Sequence, residues 1–144
     1  MDDTAEDRRR RRAPQALFRL AERHAGSSRL RARAVSSATV QPAEAVRLVE
    51  LLAAGTATYA ADEDRVDSDD LAAALTLVPY VRAELDETEL GLLTMARGRG
   101  LTWLQIAEAL GLGSAQAAQQ RHDRLAARID DSYGAQHSPL SEPH

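Results

Sequence analysis

The chain has 144 residues, enough for one domain or a small domain with tails, and an apolar content of 44%, which is ordinary for a globular protein. Aromatic residues make up only 3% and cysteine is absent, which disfavours a β-rich core and excludes disulfides and thiolate metal sites. The net charge of −4 disfavours an anionic partner when taken alone. The sequence contains no run of about 18 apolar residues, so no membrane span is predicted.

The charge is unevenly distributed along the chain. Residues 1–35 contain ten Arg and five acidic residues, whereas residues 36–90 contain three Arg and twelve acidic residues. Residues 91–130 contain five Arg and three acidic residues. Because local charge decides contact with phosphates, both basic segments remain candidates for binding nucleic acid.

The N-terminal segment 1–13 is predicted to be a disordered, Arg-rich arm, since like charges repel and little apolar surface can be buried. Its charged start without an apolar stretch is not typical of a secretory signal. A short helix is predicted from Pro14 to about His24, with a break at Gly26. Residues 29–40 show only a weak pattern.

Two stronger helices are predicted over residues 43–61 and 68–85. Gly55 lies inside the first, and Ser68 is the predicted N-cap of the second. A short acidic connection between them predicts an antiparallel helical hairpin. Because its Ala/Leu faces are broad, region 14–85 is also the predicted dimerisation region.

Residues 86–130 show the pattern of three short helices. Asp86 is the predicted cap of the first, which ends at Gly98. Thr102 and Gln105 fit the capping box of a second helix, and a third is predicted over residues 114–129.

The turn between the last two helices carries the signs of a helix-turn-helix. Gly111 permits the positive φ of a tight turn, and Ser114 is placed to cap the last helix. Inward-facing positions are predicted at Trp103, Ile106, Ala107, Leu110, Leu112, Ala118, His122, Leu125 and Ile129. The predicted fold class is therefore all-α, a helical hairpin followed by a C-terminal three-helix helix-turn-helix module, with disordered termini that include residues 131–144.

Residues 86–129 resemble the homeodomain-like or sigma-region-4-like helix-turn-helix modules of actinobacterial DNA-binding proteins. The matching positions are Thr102, Trp103, Ile106, Ala107, Leu110, Gly111, Ser114, Gln116, Ala117, Ala118 and Arg121. The chain departs from this pattern at Gly113, an extra residue in the turn, and at His122, where a larger aromatic is usual. The resemblance implies a module that reads DNA sequence with its last helix in the major groove.

The outward face of the last helix supplies the candidate DNA contacts. Gln pairs with adenine edges, so the base-reading candidates are Gln116, Gln119 and Gln120. The phosphate-contacting candidates are Arg97, Arg99, Ser114, Arg121, Arg124 and Arg128. Arg8, Arg9, Arg10, Arg11 and Arg12 form either a minor-groove arm or a solvated tail.

These patterns predict a DNA-binding protein, a transcriptional regulator or nucleoid-associated protein in the cytoplasm. The expected partners are double-stranded DNA and a second copy of the chain, without a membrane, metal or cofactor. The alternative is an adaptor whose helix-turn-helix or acidic hairpin docks a sigma factor, RNA polymerase or another regulator. No catalytic motif is present, so an enzyme is not expected.

Overall fold

The computed structural model describes residues 3–25 and 40–136, with side chains to residue 132. These residues form helices and no strand, which confirms the all-α prediction. The helices are α1 (Ala5–His24), α2 (Pro42–Ala53), α3 (Ser68–Gly98), α4 (Trp103–Leu110) and α5 (Ala115–Gln136). Contacts divide the chain between Arg82 and Ala83 into two compact units, which we call the first and the second unit. The predicted break at Gly26, most of the weakly patterned segment and the last eight residues of the predicted tail lie outside the described residues.

Helix α1 begins at Ala5, so the disorder predicted for residues 1–13 is wrong from that residue onward. Thr4 accepts a hydrogen bond from the Asp7 amide at 3.1 Å, and the Asp7 carboxylate accepts one from the Thr4 amide at 3.2 Å. This reciprocal cap starts the helix well before Pro14. Acidic side chains at positions 3 and 6 pair with the arginines that follow and so offset their mutual repulsion.

Helix α2 ends at Ala53 rather than near residue 61. Gly55 adopts a φ of 79° and therefore terminates the helix instead of lying inside it. The Thr56 amide donates to the Leu51 carbonyl at 2.9 Å, the bond that closes such a glycine-terminated helix end.

The first unit buries one core shared by α1, α2 and the N-terminal part of α3. Leu20 is 1% exposed, Val49 1% and Leu77 1%, and small alanines fill the space around them. Helix α1 therefore joins the two helices of the predicted hairpin in a single core. The cap of α3 is Asp67 rather than Ser68, because the Asp67 carboxylate accepts from the Asp70 amide at 2.8 Å.

Helix α3 runs without interruption from Ser68 to Gly98, so the two helices predicted over 68–85 and from Asp86 are one. No glycine or proline lies between Pro79 and Gly91, and apart from Asp86 the charged residues of that segment are Arg and Glu, which are good helix formers. Asp86 consequently sits inside the helix and does not cap it.

Helix α5 extends to Gln136, so the predicted disorder of residues 131–144 is wrong for the first six of them. The chain between Ile129 and Gln136 contains no proline, and Ser132 donates to the Arg128 carbonyl at 3.0 Å within the helix. None of the helices among residues 3–25 and 40–136 is both long and apolar enough to cross a membrane.

Candidate nucleic-acid interface

Helix α4 starts at the capping box predicted from the sequence. The Thr102 side chain accepts from the Gln105 amide at 3.1 Å, and the Gln105 side chain accepts from the Thr102 amide at 2.8 Å. These two bonds satisfy backbone donors that the first turn of any helix leaves without a partner. The same box fixes the register of α4, so that Ile106 and Ala107 are buried at 3% and 1% exposure.

The turn after α4 has the left-handed glycine that the sequence predicts. Gly111 has a φ of 70°, and the Leu112 amide donates to the Ala107 carbonyl at 2.8 Å. Leu112 then packs against the core of the unit. Ser114 follows as the cap of α5, since its hydroxyl accepts from the Ala117 amide at 3.1 Å.

The inner face of α5 packs closely on α4. Ala118 is completely buried and Leu125 is 1% exposed, and both contact the cluster that contains Ile106 and Leu93. The zero exposure of Ala118 leaves no room for a larger side chain where the two helices cross. His122 is half-buried, and its ring meets that of Trp103 edge-on with centroids 5.6 Å apart.

Leu110 is the exception among the predicted inward-facing residues of α4, because 39% of it is exposed. It is the last residue of the helix, and the left-handed turn at Gly111 directs the chain so that Leu112 packs against the core instead. Helical spacing therefore predicts the wrong side for Leu110, because the chain leaves the helix directly after it and Leu112 takes the inward position.

The three base-reading candidates lie together on the exposed side of α5. Gln116, Gln119 and Gln120 are all exposed, at the start of the helix and at i+3 and i+4 from it. Among the described residues they make no side-chain hydrogen bond, so their amides are available to an external donor or acceptor. The structure thus brings together on one surface the residues that the sequence pattern grouped.

The basic candidates divide into two groups. Arg121 forms a two-point ion pair with Glu89, and its Nη2 lies 2.9 Å from the carboxylate. This pair holds the pKa of Glu89 below its usual range, chiefly through the hydrogen bonds from Arg121. Arg128 lies 3.5 Å from Asp86, and Arg97 stacks over the Trp103 ring at 4.9 Å.

Arg99 and Arg124 form the other group. Both are exposed, and neither side chain has an ionic or hydrogen-bonding partner among residues 3–25 and 40–136. An exposed guanidinium without an internal partner binds an external anion without first breaking an ion pair. The most available cations of the second unit are therefore these two.

The arginines predicted to form a flexible arm lie instead on helix α1. Arg8 donates to the Asp3 carbonyl at 2.6 Å, Arg11 pairs with the Asp3 carboxylate and Arg10 with Glu6. Arg12 is exposed and has no side-chain partner among the described residues. The five guanidiniums point around the helix rather than along one extended strand, because successive helical residues are rotated by about 100°.

The first unit contains a feature that the sequence analysis missed, which we call the buried ion cluster (Arg19, Arg23, His24, Glu63 and Asp70). Asp70 and His24 are completely buried. Asp70 accepts from Arg19 Nε at 2.9 Å and lies 3.1 Å from His24 Nε2, while His24 Nδ1 lies 2.8 Å from Glu63. The Arg23 Nε is 2.8 Å from the same Asp70 carboxylate.

These contacts determine the charge state of Asp70. Burial alone would raise the pKa of Asp70, but hydrogen bonds from His24, the Asp67 amide, Arg19 and Arg23 outweigh it and hold that pKa below its usual range. The signal in the sequence was the spacing of the three basic residues at i, i+4 and i+5 on α1. Their partners lie 39 to 51 residues away along the chain, beyond the reach of local patterns.

The cluster has the distances of hydrogen-bonded ion pairs. In the part of the chain that the structure describes, no group of three His, Cys, Asp or Glu side chains is placed to hold a metal ion. The cluster therefore has a structural role, because its hydrogen bonds to Asp70 join α1 to the start of α3.

Comparison of the chain with protein-family models, with curated proteins and with solved structures gives no match.

Proposed function

We propose that this chain binds double-stranded DNA through its second unit, as a transcriptional regulator or nucleoid-associated protein. The observation that carries the proposal is the row of exposed glutamines, Gln116, Gln119 and Gln120, on the first turns of a helix held by a capped, glycine-centred turn. In a helix-turn-helix, this part of the second helix enters the major groove first.

The side chains on this surface suit the two kinds of contact that DNA recognition needs. A glutamine amide donates and accepts at once, so it matches the N6 and N7 edge of adenine. Arg99 and Arg124 supply exposed guanidiniums for phosphates, and the Ser114 hydroxyl lies at the N-terminal end of α5. The positive end of the α5 dipole adds to the attraction for phosphate at that position.

One module of this size covers few base pairs, so we expect it to act as a homodimer on a two-fold symmetric site. Two recognition helices about 34 Å apart reach successive major grooves on one side of the duplex. The other three candidate arginines, Arg97, Arg121 and Arg128, must give up their present contacts before they bind phosphate oxygens. We therefore expect them to contribute less to DNA affinity than Arg99 and Arg124.

One observation favours a second candidate, an adaptor that docks a component of the transcription machinery. Leu101, Leu104 and Leu110 are 39%, 55% and 39% exposed at α4 and the turn before it. A contiguous exposed apolar patch marks a surface that receives another protein. An adaptor would bind through these leucines and would show no affinity for DNA.

Fluorescence anisotropy with random-sequence duplex DNA at several salt concentrations separates the two candidates. DNA binding predicts that the logarithm of affinity falls linearly with the logarithm of salt concentration, by about 0.9 for each neutralised phosphate. We expect Arg124→Gln to reduce this slope by about 1 on every sequence. An affinity below detection at the lowest salt concentration would contradict DNA binding and leave the adaptor.

Sequence preference tests the orientation of α5. After selection of preferred duplexes from a random pool, we expect Gln119→Ala to relax the preference at one position of the site. Gln41→Ala is the matched control, because Gln41 is exposed in the first unit and makes no side-chain cap bond. An unchanged site with Gln119→Ala would show that another face of α5 meets the bases. Replacing Arg10, Arg11 and Arg12 by Gln measures what α1 adds.

A further inference from the structure

Helix α3 is apolar on two different faces within the second unit. On one face Leu90, Leu93 and Ala96 pack in the core against α4 and α5. On another, Leu85 is 65% exposed, Leu92 59% and Met95 54%. A helix that is apolar on more than one side is normally buried on more than one side. We therefore expect the second apolar face to pack against another surface.

The exposed face has the spacing of a helix-pairing seam. Leu85, Thr88, Leu92 and Met95 follow one another at intervals of three, four and three residues, and all four are exposed. This is the a/d alternation with which two helices pack side by side. The seam extends over about 15 Å, or nearly three helical turns.

Gly91 lies beside this seam. A Cβ at Gly91 would meet no atom of the described residues within 4 Å, and its φ is not in the left-handed region. Glycine inside a helix is less stable than alanine, so neither close packing nor backbone conformation within residues 3–25 and 40–136 favours it there. Glycine next to an exposed apolar seam permits a second helix backbone to approach closely.

The charges along this part of α3 determine which occupant fits. Four carboxylates lie at the N-terminal end of the seam, on Glu84, Asp86, Glu87 and Glu89, of which Asp86 pairs with Arg128 and Glu89 with Arg121. Arg97, which stacks over Trp103, lies at its C-terminal end, and the exposed Arg99 follows directly after α3. An antiparallel copy of the same helix places its basic end beside the acidic end of the first, and the two helix dipoles also oppose each other favourably.

We propose that the seam Leu85–Thr88–Leu92–Met95 is the dimerisation surface of this protein, occupied by the same seam of a second copy in antiparallel orientation. Leu85 of each copy lies against Met95 of the other, and Thr88 lies against Leu92. In this register the two-fold axis passes level with residue 90, and the two Gly91 residues lie beside it, about 3 Å apart along the helix axes. A seam that matches itself in this way forms a closed, isologous dimer.

The oligomeric state of the full chain tests this proposal without DNA, so its failure is distinguishable from failure of DNA binding. Sedimentation equilibrium of the wild-type protein is expected to show a dimer, and Leu92→Glu is expected to raise the dimer dissociation constant by about 30-fold or more. Leu104→Glu is the matched control, because Leu104 is 55% exposed on α4, away from the seam, and should leave the dimer intact. Far-UV circular dichroism and Trp103 fluorescence establish that each variant remains folded.

Introduced cysteines test the antiparallel register, since the chain has none of its own. The double variant Leu85→Cys/Met95→Cys is expected to form intermolecular disulfides on mild oxidation, because these two positions of opposite copies lie against each other. Leu85→Cys is not expected to link to itself, because its copies lie roughly 15 Å apart along the helix axes. A wild-type protein that sediments as a monomer at 100 μM would overturn the proposal. So would a dimer insensitive to Leu92→Glu, or self-linking of Leu85→Cys alone in preference to linking of the Leu85→Cys/Met95→Cys double variant.

Discussion

The two units bury their helix faces with different chemistry. In the first, a carboxylate and an imidazole are completely buried beside the apolar core, and two guanidiniums donate hydrogen bonds to that carboxylate. In the second, the buried side chains among the described residues are Leu93, Ile106, Ala107, Ala118 and Leu125, all apolar, and the ion pairs lie at the surface.

This difference determines which substitutions each unit is sensitive to. An apolar core tolerates exchange among side chains of similar volume, because its attraction is not directional. A buried charge instead needs every one of its partners, since removal of one leaves the others in a medium that cannot solvate them. We therefore expect the first unit to fail at single polar positions and the second mainly on loss of volume or of its turn geometry.

The largest effect is expected from Asp70→Asn, which removes the charge that three basic side chains share. Breaking a buried ion pair on one side costs about 3–5 kcal/mol of unfolding free energy. Urea unfolding followed by far-UV circular dichroism measures this loss. Trp103, the only tryptophan, reports the second unit separately by fluorescence.

The matched control is Asp69→Asn, which removes a neighbouring but exposed carboxylate. We expect it to change the unfolding free energy by about 0.5 kcal/mol or less. A loss below about 1 kcal/mol for Asp70→Asn would contradict the idea that the buried ion cluster holds the first unit together.

Acidification is expected to act through the same carboxylate. Because the pKa of Asp70 is lower in the folded protein than in the unfolded chain, its contribution is complete above an unfolded pKa of about 3.9. That contribution is lost as the pH falls from there through the folded-state pKa. The unfolding free energy lost through this carboxylate on acidification should not exceed the loss produced by Asp70→Asn.

Urea unfolding at pH 6, 4 and 3 checks the sign. We expect the first unit to lose stability on acidification, and the Asp70→Asn variant to lose less over the same window. Glu89 in the second unit has a pKa shifted in the same direction, but its pair with Arg121 is partly exposed and should matter less. A first unit that gains stability toward pH 3 would refute the assignment.

The separation along the chain between contacting residues explains which parts of the molecule were predictable from the sequence. The Thr102 capping box, the left-handed Gly111 and the Ser114 cap were predicted correctly, because each depends on residues within four positions of one another. The buried ion cluster was not, since His24 and Asp70 are 46 residues apart and no local pattern pairs them. Part of the uneven charge that suggested an anionic partner is in fact neutralised inside the first unit.

Two errors of element length have the same origin. A run of charged residues was interpreted as disorder at 1–13 and as a helix cap at 86–89. In both places the charges pair with helical neighbours or with α5, as Arg10 does with Glu6 and Glu89 with Arg121. Composition alone does not distinguish a solvated charge run from one that stabilises a helix.

After the Asp70 effects, the next largest loss of stability is expected when a buried side chain of the second unit is shortened. Leu125→Ala removes a side chain that is 1% exposed and contacts the core between α4 and α5. We expect a loss of about 2–5 kcal/mol, read from the Trp103 fluorescence transition in urea. Leu104→Ala is the control, and because Leu104 is 55% exposed it should cost about 0.5 kcal/mol or less. Equal losses for both variants would contradict the assignment of this core.

The smallest effect is expected in the turn, where two glycines offer a matched pair. Gly111→Ala places a side chain at a φ of 70°, and its Cβ would meet no atom of the described part of the chain within 4 Å, so the cost is one of backbone conformation. We expect about 1 kcal/mol of lost stability in the Trp103 transition. Gly113→Ala meets equally open space without the left-handed φ and should be neutral or slightly stabilising. Equal effects at both positions would show that turn geometry does not limit the second unit.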